Sequence, residues 1–120
     1  MNYNEVFRNR TKAFALKLMK DLMSLKYDDA LGIMRKQLIR CSTSVAANYR
    51  AVGRARSERE RYAKLCIVVE EADETVFWLE MLEEAGYLKK VSFDQFYKEA
   101  EEILKVMSSY KYKLGKGLGH

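Results

Sequence analysis

Residues 31–52 read LGIMRKQLIRCSTSVAANYRAV, and the spacing of their apolar positions decides the fold class. Leu31, Met34, Leu38, Cys41, Val45, Asn48 and Val52 follow one another at steps of three and four, with Asn48 the single polar member. Such a stripe averages about 3.5 residues per step, the repeat that keeps one face of an α-helix against a partner in left-handed supercoiled packing. The same spacing recurs outward in both directions. Before it come Phe7, Phe14, Leu18, Leu22 and Leu25; after it come Tyr62, Leu65, Val69, Ala72, Val76, Leu79 and Leu82, and then Phe93, Phe96, Ala100, Ile103, Met107, Tyr110 and Leu114. Strand-like alternation is missing and proline is absent, so the chain is read as all-α.

Four helices are expected: about residues 4–25, from Asp28 or Asp29 to Arg54, from Ser57 to Gly86, and from Ser92 to Leu114. SERE at 57–60 and SFDQ at 92–95 are capping-box patterns, and Gly86 is a C-terminal stop. The connections near 26–28, 54–56 and 87–91 are short enough to make successive helices antiparallel. The expected architecture is an up-down-up-down four-helix bundle forming one domain over residues 1–114, with 115–120 a flexible tail.

Composition narrows the function classes. The chain has 120 residues, 48% of them hydrophobic, enough for a core. Its longest apolar runs, such as LCIVV at 65–69, fall far below the roughly 18 residues that a membrane span needs, and the first residues lack the apolar stretch of a signal peptide. A soluble, cytoplasmic protein is expected. Cys41 and Cys66 fall in apolar helical patterns without CxxC spacing, so free thiols are expected. The only His is His120, no Glu-x-x-His pattern occurs, and neither GxGxxG nor GxxxxGK[ST] is present. No catalytic residue, metal, cofactor or small-molecule substrate is therefore expected, and EEADE at 70–74 reads as a solvent-facing acidic stripe.

Charge is distributed unevenly. Between Arg35 and Lys64 nine basic residues face two Glu, a net +7, whereas Glu70 to Glu84 holds seven acids and no base. Solvated faces, a polyanionic partner and complementary contacts between subunits each account for such a split. Arg50, Arg54, Arg56, Arg59 and Arg61, with Lys64 beyond them, are expected to gather where the second helix ends and the third begins. Exposed N–H groups and the macrodipole at a helix start attract anions, and guanidinium forks suit phosphate. A structural role competes, since Arg54 also suits the end of its own helix and Arg61 can pair with acids. Asn48 is expected to be buried and hydrogen-bonded, fixing register, or else to sit at a boundary satisfied by water.

Gln37, Leu38 and Arg40, then Ser44, Val45, Ala47 and Asn48, then the RARS turn at Arg54–Ser57, and finally Gly86, Tyr87 and Leu88 form one pattern between Gln37 and Leu88. In this block the chain resembles the four-helix-bundle proteins encoded in the intervening sequences of bacterial 23S rRNA genes. It implies self-assembly into a homo-oligomer, a cyclic pentamer, and a link to RNA or a ribonucleoprotein. It also implies kinship with the accessory proteins of diversity-generating retroelements. The chain departs from the pattern at Ala46, where many members carry Pro, and at RAVGR (50–54), where an EGFGR-like stretch is usual, so no role of that Glu carries over. The rival reading is a homo-oligomeric adaptor that binds no nucleic acid.

Overall fold

A computed structural model describes residues 3–120. Four antiparallel helices form the expected up-down-up-down bundle: α1 (Tyr3–Met23), α2 (Asp29–Gly53), α3 (Glu58–Glu84) and α4 (Lys90–Gly117). The particle measures 46 × 28 × 21 Å, the long axis matching helices of 25 to 28 residues at about 1.5 Å per residue.

Local chemistry fixes the helix ends. Asp28 is extended and its Oδ1 accepts from the Leu31 N–H at 2.8 Å, starting α2. Ser57 does the same for α3, its Oγ accepting from the Glu60 N–H at 3.0 Å. α3 stops at Gly86, whose φ of +86° is a left-handed conformation that glycine adopts without a Cβ clash. There the Tyr87 N–H reaches Leu82 O at 2.9 Å and the Gly86 N–H reaches Glu83 O at 3.0 Å, the paired bonds of a Schellman end. The Tyr87 hydroxyl then donates to Asp28 Oδ1 at 2.8 Å, tying the end of α3 to the start of α2.

Leu18, Leu22, Leu31, Leu38, Leu65, Leu79, Leu82 and Met107 are fully buried along the axis. Each removes apolar surface from water, on the order of 1.5–3 kcal/mol per side chain before the entropy of ordering it. Among the described residues Thr11, Ser42 and Thr75 are the buried polar ones, and each has a backbone oxygen of its own helix in hydrogen-bond range. The helices are not equally bound. α2 packs against α1 and α3, α3 packs against α4, and α1 meets α4 least. Across that last seam Phe14 lies edge-on to Phe96 at 6.1 Å, and the Arg10 guanidinium grips Glu99, Nε to Oε2 being 3.2 Å. Toward the start of α1 the seam opens into a hollow of about 530 Å³ lined by Asn4, Lys105, Tyr110 and Lys113 among others.

Two expectations are corrected. α4 begins at Lys90, with Lys89 as its cap residue and no side-chain cap bond, rather than at a Ser92 capping box. Leu88 is buried just before the cap and Phe93 packs on the same core, so apolar anchoring places the start one turn earlier. Residues 115–120 are not a loose tail. α4 continues to Gly117, buried Gly115 lies against the Tyr62 ring, and the His120 ring stacks on Tyr62 at 4.7 Å between centroids.

Candidate nucleic-acid interface

The antiparallel register sets the first turns of α1 beside the last turns of α2. Arg8 and Lys12, one helical turn apart, therefore come next to Arg50 and Arg54. With Asn9 these four cations line a hollow of about 350 Å³. Arg8, Arg50 and Arg54 also border a second hollow of about 200 Å³, whose lining includes Glu5. Among the described residues none of the four cations lies within 4.0 Å of a carboxylate. The C-terminal end of α2 carries partial negative charge, which offsets part of the repulsion around Arg50 and Arg54. What remains is a concave surface of unpaired guanidinium and ammonium groups, chemistry that accepts phosphate oxygens.

The arginines of the α2–α3 turn divide differently from the expectation that they converge on the start of α3. Arg50 and Arg54 are exposed and turn toward α1. Arg56 is exposed, its side chain 92% accessible, with Nε 3.9 Å from Glu60 Oε2. Arg59 is exposed, Lys64 is half-buried, and Arg61 is half-buried in an ion pair with Glu58. The reason lies in the first turn of α3, where Glu58 and Glu60 already answer the positive helix end and draw in Arg61 and Arg56. Arg8 and Lys12 escaped the sequence reading. Their signal was the antiparallel register itself, which sets the start of α1 against the end of α2.

Of the two expectations for Asn48, the buried, register-fixing one is not met. It is half-buried, and its Nδ2 donates to Ser44 O and Ser44 Oγ, both at 3.0 Å, within its own helix. The core position belongs to Tyr49, 2% exposed, whose hydroxyl donates to Asn4 Oδ1 at 3.1 Å. Asn48 is thus a boundary residue in this chain.

The acidic stretch is partly neutralised from within. Arg40 bridges Glu71 at 3.1 Å and Glu74 at 2.6 Å, linking α2 to α3, and its guanidinium is held more firmly protonated by the hydrogen bond to Glu74. The Tyr97 hydroxyl donates to Glu80 at 3.1 Å, which pushes the phenol's pKa up. Cys41 and Cys66 are free thiols; burial pushes the Cys41 thiol up to about 11. Among the described residues no group of His, Cys, Asp and Glu is set to hold a metal, and no helix is long and apolar enough to cross a membrane.

Comparison with known proteins gives likenesses of two kinds, to a family model and to solved structures. The family model of the 23S rRNA-intervening sequence proteins matches residues 5–109. A protein of unknown function from Bacteroides thetaiotaomicron, assigned to the S23 ribosomal protein family and solved by crystallography, is 28% identical. The alignment covers 91% of this chain and 97% of that one, with a TM-score of 0.83. No curated protein matches the chain.

Proposed function

We propose that this chain, which belongs to the 23S rRNA-intervening sequence protein family, is a non-enzymatic bundle that assembles into a ring, a pentamer, and contacts RNA or an RNA-protein complex through its basic end. The single observation that carries this reading is the hollow lined by Arg8, Lys12, Arg50 and Arg54, four cations with no carboxylate within 4.0 Å among the described residues. Arg56 and Arg59 extend the same charge around the turn. Contacts of this kind go to phosphates, so binding is tolerant of sequence and falls steeply as salt rises.

The test is binding of a structured RNA over a salt series, with Arg54→Ala combined with Arg56→Ala beside the wild type. Each phosphate contact removed lowers the log-log salt slope by about 0.9 on duplex or about 0.7 on single strand. The expected outcome is weaker binding and a shallower slope in the double variant at unchanged oligomer mass. A wild type without salt-sensitive RNA binding sinks the nucleic-acid part of the reading.

A further inference from the structure

We propose that the outward face of α3 seats in the groove between α1 and α2 of a second copy of this chain, joining copies head to tail and resting on the ring-forming part of the reading above. α3 turns Leu65, Val68, Ala72, Leu79 and Leu82 into the core. Opposite them, at steps of three and four, run Ile67, Glu70, Asp73, Phe77, Met81 and Glu84. Phe77 is 48% exposed and Met81 40%, and the Phe77 ring is braced edge-on by Trp78 at 5.0 Å. A helix apolar on two opposite sides has two surfaces to bury, and the bundle covers one of them. Glu70, Asp73 and Glu84 flank this ridge, and among the described residues none lies within 4.0 Å of a cation.

The groove has the complementary make-up. It is a hollow of about 270 Å³ with an apolar floor from Leu16, Met19 and Ala46, bounded by Arg8, Lys12 and Arg50, and no acid lines it. Three unpaired acids around an exposed aromatic ridge thus answer three unpaired cations around an apolar trough. Opposite potentials across an interface set partner and register, and a buried aromatic anchor supplies the affinity. The ridge and the groove are different surfaces, so every copy offers both, and the contact repeats until it closes on itself. Docking covers the Arg8, Lys12 and Arg50 side of the basic hollow, so in the assembled ring the phosphate contact falls to Arg54, Arg56 and Arg59, which lie outside the groove lining and are exposed.

The experiment is light scattering without RNA at moderate salt on the full chain. It compares wild type, the ridge reversal Glu70→Lys with Asp73→Lys, the groove reversal Lys12→Glu with Arg50→Glu, and all four changes together. All four positions are exposed, and helical circular dichroism checks that each variant stays folded. The wild type is expected at a multiple of 14.0 kDa, each reversal at or near the monomer mass, and the fourfold variant back at the wild-type mass. Phe77→Ala is expected to raise the concentration of half-dissociation by about tenfold or more. Reversals that keep the wild-type mass overturn the proposed surfaces while the ring stands, as does a fourfold variant that stays monomeric. A monomeric wild type overturns the ring as well. RNA binding is scored separately, by the salt series.

Discussion

Among the described residues Asn48 Nδ2 donates only to Ser44, one turn back, while Tyr49 beside it fills the core. Replacing Asn48 by Ala is therefore expected to change stability within about 0.5 kcal/mol. The lost bond is local and half-exposed, and Ala is the better helix former. A chemical-denaturation midpoint that falls well beyond that range would return Asn48 to a buried role. The sequence admits both assignments, because after Val45 a step of three reaches Asn48 and a step of four reaches Tyr49. Only the roll of α2 against its neighbours chooses, and the large ring wins by removing more apolar surface from water. Arg8 and Lys12 show the complementary difficulty. Nothing in their own turn of sequence marks them, and their meaning comes from Arg50 and Arg54, far along the chain.

At the scale of the helix, ends were legible where a side chain makes the end and obscure where packing makes it. Ser57 and Gly86 act through local bonds, so their spacing reveals them. The start of α4 and the ordered last residues depend on Leu88 finding the core and on Gly115 leaving room for the Tyr62 ring. Asp28 illustrates a local bond with a pH consequence. Its carboxylate accepts from the Leu31 N–H and from the Tyr87 hydroxyl, which hold it below the usual carboxylate range. A depressed folded pKa contributes stability that is present above the unfolded value, and that contribution is lost as pH falls through the folded one. Asp28→Ala is thus expected to lower the melting temperature at neutral pH, and the gap from wild type should narrow below about pH 4. Thermal melts at the two pH values check it; an unchanged gap would mean that the charge of Asp28 contributes nothing.

Across the whole molecule the basic and acidic stretches meet in two ways. Arg40 joins them inside one chain through Glu71 and Glu74, and the unpaired remainder lies on separate sides, where it is available to other molecules. The uneven seams carry a further consequence, for motion. α1 is bound broadly by α2, but on its other flank mainly by Phe14 and the Arg10 grip on Glu99. Local opening follows the weakest boundary, so α1 is the helix that lifts first. Its interior amides are expected to exchange with deuterium ahead of those of α2 and α3, and Glu99→Gln should quicken α1 while leaving α3 unchanged. Uniform exchange across the four helices would show that the bundle opens only as a unit. A neighbour lying in the α1–α2 groove would hold α1 down, so dilution that empties the groove should also release this helix. Exchange rates along α1 would then report on assembly.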